Sequence, residues 1–196
     1  MLFRSPTASS PVATGPLRIE RTATLRTASF REGVRATDVV SRTFTKVDPL
    51  PPAKVLAKEP GLRVERFPGE WNEIPDDLEG RAPESTWIAA DVQLPKTVGE
   101  HVLLTLRGAL DVPADDVYTF ELTSDDGSEL WIDGRRVVDH DGPHGPTGKR
   151  GSVALAQGKH TVKVVWFNAT GGAHLDLQWA RPGEVMARVP AGRLTH

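Results

Sequence analysis

The sequence predicts an all-β protein, an antiparallel β-sandwich or jelly-roll-like barrel, and three observations predict it. Short apolar runs alternate with period two: Tyr118, Phe120 and Leu122 fall on one side of a strand, and Leu175, Leu177 and Trp179 alternate with His174, Asp176 and Gln178 on another. Turn signals separate such runs, at Pro113-Ala114-Asp115-Asp116, Asp126-Gly127, Asp133-Gly134, Gln157-Gly158 and Gly171-Gly172. No long helical period appears. Many short strands with turns at this spacing read as a sandwich or barrel.

The composition agrees. A chain of 196 residues has room for one full domain and part of another. With 38% hydrophobic and 26% charged residues it resembles an ordinary globular protein, and 18 glycines and 16 prolines suit frequent turns. A formal net charge of -2 and a pI near 6.3 leave no basic footprint for nucleic acid. The absence of cysteine excludes disulfides and thiolate metal sites. No apolar run reaches the length of a membrane span.

Taken in order, residues 1–14 open the chain; Met1 to Val12 hold no apolar signal-peptide core, and Leu2-Phe3-Arg4-Ser5 reads like the translated end of a sequencing adaptor. This start is read as disordered or artefactual, with an upstream part of the reading frame missing, so the lack of a leader leaves secretion open. Between Gly15 and Val47 strands are expected around Leu17 to Ile19, Thr22 to Phe30 and Val40 to Lys46, with a turn at Gly33. So few strand residues do not close a core alone; an irregular arm is the other reading. Asp48 to Pro60, with Pro49, Pro51, Pro52 and Pro60, predicts an extended linker. The second domain is expected from Gly61 to His196. In it Val162, Val164 and Trp166 share one face while Val165 and Phe167 make the other face apolar, the pattern of a central strand.

Two stretches resemble known families. Gly15-Pro16-Leu17-Arg18-Ile19, Thr24 to Phe30, Gly33 and Ser41-Arg42-Thr43-Phe44 are similar to the last strands of a chitobiase (hexosaminidase) C-terminal-type immunoglobulin-like domain. From Gly61-Leu62-Arg63-Val64-Glu65 and Trp71 onward the match is denser. It runs through Leu104 to Pro113, Val117-Tyr118-Thr119-Phe120, Ser124 to Asp139, Gly151-Ser152-Val153, Ala156 to Val164 and Asn168 to Leu175. This part resembles the anthrax protective-antigen-type domain of the GLEYA and flocculin-like superfamily. Asp116 departs from it, standing where glycine is common, which bears on the turn and not on the fold. The first resemblance implies a partial immunoglobulin-like segment at the tail of a secreted hydrolase. The second implies a β-sandwich that binds carbohydrate as an accessory module of secreted proteins.

Ser124-Asp125-Asp126-Gly127-Ser128 sets two adjacent carboxylates on a tight turn between strand-like runs. Like charges in contact repel unless a cation or water relieves them, and calcium takes six to eight oxygens from carboxylates, amides, carbonyls and water. The resemblance implies that Asp125 and Asp126, joined by a cis peptide, hold calcium together with Asn168 and the carbonyls of Thr170 and Gly172, sugar hydroxyls completing the shell. The other reading is a hairpin turn whose aspartates accept local N–H groups. Trp131 breaks from the Leu130/Ile132 face, as a sugar-stacking platform or as cover for the second face of the sandwich, whereas Trp166 and Trp179 fall on core faces. Asn168-Ala169-Thr170 also spells a glycosylation sequon. Asp139, His140, Asp141 and His144 suggest a transition-metal cluster, but their Gly- and Pro-rich spacing reads better as a solvated loop. Nothing resembles a Ser-His-Asp set, a nucleotide loop or a hydrolase carboxylate pair.

The expected function is therefore a non-catalytic, calcium-dependent carbohydrate-binding module of an extracellular or periplasmic glycoside hydrolase. Its expected partners are a glycan or polysaccharide and the catalytic domain of the same protein. The alternative is a structural module that packs on that catalytic domain and binds no sugar. An open acidic notch at Asp125, Asp126 and Asn168 favours the first; exposed apolar surface from Gly61 to Trp87 favours the second.

Overall fold

The computed structural model describes residues 5–78 and 80–196. The chain divides into two units, one ending at Asp48 and one spanning Pro49–His196. In the first, β1 (Ala23–Thr27) and β4 (Val40–Phe44) pair antiparallel, as do the short strands β2 (Phe30–Arg31) and β3 (Val34–Arg35). Side chains brace the longer pair, with Thr24 Oγ1 2.9 Å from Thr43 Oγ1 and the Lys46 amide donating to Thr22 Oγ1 at 2.9 Å. The strand expected at Leu17 to Ile19 is not there; those residues are exposed and, among the described residues, find no partner strand. The expected run from Thr22 to Phe30 is interrupted at Ala28-Ser29, where the Ser29 amide turns to Thr37 Oγ1. Of the start expected to be disordered, residues 1–4 lie outside the described residues, and Thr7 to Ser10 form a hydrogen-bonded turn.

The second unit is the antiparallel β-sandwich. Its strands are β5 (Leu62–Pro68), β6 (Ser85–Ala89), β7 (Val102–Val112), β8 (Asp116–Asp125), β9 (Ser128–Ile132) and β10 (Arg135–His140), followed by β11 (Thr147–Leu155), β12 (Gly158–Asn168), β13 (His174–Ala180), β14 (Ala187–Arg188) and β15 (Leu194–Thr195). One sheet has the order β10-β9-β12-β7-β5-β6, with β15 also pairing β7; the other has the order β11-β8-β13-β14. The alternation read from the sequence sets the core. Val162, Val164 and Trp166 of β12 and Leu104, Leu106 and Leu110 of β7 face Tyr118, Phe120 and Leu122 of β8 and Leu175 and Leu177 of β13. Trp179 packs on this core at its edge, stacked on Tyr118 with ring centroids 5.3 Å apart. Burying such side chains contributes about 1.5–3 kcal/mol each.

Val165 and Phe167, on the opposite face of β12, are buried too, in a smaller cluster with Phe67, Trp71 and Leu103. The segment between β5 and β6 covers that face, contributing Trp71, Ile74 and Leu78. A strand apolar on both faces thus marks a sheet covered on both sides.

The proline-rich stretch expected as a linker is extended but tied down. Leu50 forms a parallel bridge with Leu155, the Ala53 amide donates to Lys159 O, and the Lys58 and Glu59 amides donate to His196 O. The prolines lack N–H groups, but the residues between them supply enough donors to lay the segment along the sandwich.

Candidate functional site

β8 ends at Asp125 in the four-stranded sheet, and β9 begins at Ser128 in the other. Asp126-Gly127 is therefore a crossing between sheets and not the turn of a hairpin. Its two flanks are braced in the interior by Ser124 Oγ and Ser128 Oγ, 2.7 Å apart. The backbone is fixed from β12: Trp166 Nε1 donates to Asp125 O at 3.0 Å, and the Phe167 amide donates to Gly127 O at 3.0 Å. The Asp125-Asp126 peptide bond is cis.

Around this crossing the structure brings Asp125, Asp126, Gly172 and the strand end at Asn168 close together. Asp126 is buried; its Oδ1 accepts from the His144 amide at 3.0 Å and its Oδ2 from the Ala169 amide at 2.9 Å, which places it beside Asn168. The Asp125 carboxylate lies against Gly172, with Oδ2 2.8 Å from the position a Cβ would take there. Among the described residues neither carboxylate has an ion-pair partner, and the Asp125 side chain has no hydrogen bond. Asn168 is 1% exposed. Its Nδ2 donates to Gly99 O at 2.9 Å. A carbonyl only accepts, so this bond fixes the orientation of the amide, and Asn168 Oδ1 is left buried without a partner. In the folded chain the sequon asparagine is thus enclosed. Thr170, Gly171 and Gly172 are exposed, which opens this end of the sandwich to solvent.

A short turn supports the loop from Asn168 to Gly172. Besides the Gly99 bond, the His101 amide donates to Ala169 O at 3.1 Å and the Gly171 amide to Glu100 Oε1 at 2.8 Å. This role of residues 99–101 is not visible in the sequence, because nothing local marks them as partners of residues some seventy positions on.

Trp131 lies elsewhere. It stands on the face of β9 away from the main core, its Nε1 donating to Glu129 Oε2 at 2.8 Å, with Lys163 Nζ 4.5 Å and Arg136 Cζ 5.7 Å from the ring centroid. Its partners are these charged neighbours, and none is Asp125, Asp126 or Asn168. Among the described residues no three His, Cys, Asp or Glu side chains converge as a metal cluster. Asp141 instead accepts from the Ile74 amide at 2.9 Å, and the His140 and His144 rings lie with centroids 4.0 Å apart and planes tilted by 31°.

The histidine pair carries a pH expectation. Burial first, then the neighbouring His144, hold His140 below its ordinary 6.5, with Lys149 adding to the depression; the Thr147 carbonyl and Asp139 oppose it. A histidine lowered in the folded state binds its proton more readily when unfolded. The neutral ring therefore contributes its full stability above about pH 6.5, and that contribution falls away as the pH drops below it. In chelator, the melting temperature is expected to fall from pH 7.5 to 5.5, and His140→Asn to flatten that slope. Parallel slopes in thermal melts of the two proteins would contradict this.

Comparison with known proteins adds a family and a fold. The profile of the PA14 domain matches residues 82–190. A β-hexosaminidase of Porphyromonas gingivalis is 25% identical over 177 residues, which span 85% of this chain but only 22% of that relative. Among solved structures, a PA14 sugar-binding domain from an RTX adhesin superposes with a TM-score of 0.63 at 17% identity, covering 71% of this chain and 99% of that one. The A domain of epithelial adhesin 6 from Candida glabrata, in complex with Galβ1-3GlcNAc, superposes with a TM-score of 0.54 at 9% identity, covering 72% of this chain and 89% of that one. At these identities the solved structures establish the shared fold.

Proposed function

The chain belongs to the PA14 domain family, and on that premise we propose that its second unit is a calcium-dependent, non-catalytic glycan-binding module. One observation carries the reading. Asn168 Oδ1 is a buried acceptor with no donor, and it sits in the same loop cluster as two adjacent carboxylates that have no ion-pair partner among the described residues. A buried acceptor left unmatched costs roughly 1–3 kcal/mol, and adjacent carboxylates add repulsion. A divalent cation removes both penalties. The donor set is all oxygen, with no thiolate or imidazole, which suits calcium and not zinc or copper. Carbonyls on a loop, here those of Thr170 and Gly172, suit calcium's variable coordination better than the strict octahedron of magnesium.

Glycan binding follows from the open side of the loop. Positions filled by water on a calcium ion can be taken by two neighbouring hydroxyls of a pyranose. The like-folded adhesin domain solved with Galβ1-3GlcNAc supports this use of the fold. The hexosaminidase relative supports a place beside a secreted glycoside hydrolase, where a second weak contact raises the residence of the tethered enzyme on its substrate. The first unit, in this reading, is the tail of an immunoglobulin-like domain of such an enzyme. The purely structural alternative finds little of its expected surface: among the described residues around Gly61 to Trp87, Ile88 is the exposed large apolar side chain.

The test is calorimetric titration of the chain with calcium, followed by a glycan array read in calcium and in EDTA. Calcium is expected to bind with measurable heat, and array signal to vanish in EDTA. No binding heat at millimolar calcium, or glycan binding that survives EDTA, would overturn the proposal.

A further inference from the structure

Beside the candidate site lies a groove of about 490 Å³, lined by Arg66, Trp87, Pro95, Thr97, Val98 and Gly99. One wall is the edge of the larger sheet, where β5 supplies Arg66 and β6 supplies Trp87. The other wall is the segment approaching β7. Trp87, half-buried, packs its inner side on the main core. Arg66 is held across the groove, with Nε on Glu84 Oε2 and Nη1 on Val98 O, each at 2.8 Å. A guanidinium carries five N–H donors, so these two bonds leave three for a ligand. An aromatic ring and apolar walls with a few fixed donors make a concave site of the kind that takes an organic ligand.

The groove and the cation loop are two sides of one turn. Gly99 lines the groove, and its carbonyl accepts from Asn168 Nδ2, which sets the orientation of the amide whose Oδ1 is the proposed ligand. Glu100 and His101, the next two residues, hold Gly171 and Ala169. We propose that the groove is a second saccharide subsite, which takes the pyranose units continuing a glycan whose end is bound at Asp125, Asp126 and Asn168; the inference rests on the glycan reading above. The C–H face of a pyranose lies on Trp87, as bases do on aromatic platforms, and its hydroxyls meet Arg66 and Thr97. The ligand class is accordingly a linear oligosaccharide and not an isolated monosaccharide. Binding both parts through one chain makes the second contact intramolecular and multiplies affinity without a new cation site.

The experiment compares each monosaccharide with its linear tetramer, in calcium, by calorimetry on the full chain. The probes are glucose and cellotetraose, mannose and mannotetraose, galactose and galactotetraose, and N-acetylglucosamine and chitotetraose. For the sugar that binds, the tetramer is expected to bind at least about tenfold tighter than the monomer. Trp87→Ala is expected to collapse that ratio towards one. Because Trp87 also packs on the core, Thr97→Arg serves as a second variant, filling the groove from its exposed wall without removing a packed side chain. Ile88→Ala, at an exposed neighbour outside the groove, is expected to keep the wild-type ratio. A tetramer no tighter than a calcium-dependent monomer, or a ratio kept in a folded Thr97→Arg protein, would overturn the groove alone. No calcium-dependent binding of any probe would overturn the glycan reading and the groove with it.

Discussion

Replacing Gly151 by alanine is expected to destabilise the sandwich by about 3 kcal/mol and to lower its melting temperature by roughly 6–12 °C. A Cβ built at Gly151 would stand 1.8 Å from Val137 O and 2.7 Å from its carbonyl carbon. Neither atom is the end of a flexible side chain, so backbone has to move. The place is critical because β10 closes one edge of the larger sheet and β11 the same edge of the smaller one. The β9–β10 register shifts between Arg136 and Val138, so Val137 lies at the bulge. Gly151, opposite Phe120 of the core, lets the bulged backbone come close. Alanine would wedge the two sheet edges apart over Phe120. Gly148, on the same strand, is the control: its Cβ would meet nothing nearer than Thr123 Oγ1 at 3.0 Å, a side-chain atom that can rotate away. Gly148→Ala is expected to stay within about 0.5 kcal/mol of the parent. Equal melting temperatures for the two variants would show that the sheet edges are not held by this approach.

Gly151 also shows where sequence reading stops. The faces of β8, β12 and β13 were legible because a half-buried strand writes its burial into every second residue, and Val165 and Phe167 announced a covered outer face. The tight contact at Gly151 was not, because it depends on a bulge in another strand. The anchoring of the extended proline-rich segment is hidden for a similar reason. Its missing donors are visible in the sequence, whereas its bonds to Lys159 and His196 depend on strands that come together only in the fold. The aspartate pair stood out because its residues are adjacent, and Asn168 entered only through the family resemblance. What makes Asn168 informative is the partnerless Oδ1, and that follows from Gly99, 69 residues earlier in the chain. Trp131 lies off the Leu130/Ile132 face, as its place in the alternation implies, but the Lys163 and Arg136 cations beside its ring come from neighbouring strands and leave no local trace.

Asp125→Asn is expected to reverse its rank against the parent when calcium is added. The Asp125 carboxylate accepts no hydrogen bond among the described residues, and asparagine has the same shape. In chelator, the change removes one of two adjacent like charges, so the variant should melt at or above the parent. In calcium, the parent gains about 2.7 kcal/mol once the ion stands at a hundredfold its dissociation constant, or roughly 5–10 °C for a domain of this size. The variant gives up an anionic ligand and should lose most of that gain, so it melts below the parent. Asp126→Asn makes a different prediction. Both of its oxygens accept backbone amides, from His144 and Ala169, so an asparagine NH2 must face one of those donors in a buried place. That mismatch costs roughly 1–3 kcal/mol with or without the ion, and this variant should melt below the parent in both media. A turn that binds no cation yields no reversal: Asp125→Asn would then melt at or above the parent in calcium as it does in EDTA. Thermal melts of the three proteins in each medium decide between the two, and parallel behaviour of Asp125→Asn would remove calcium from the site.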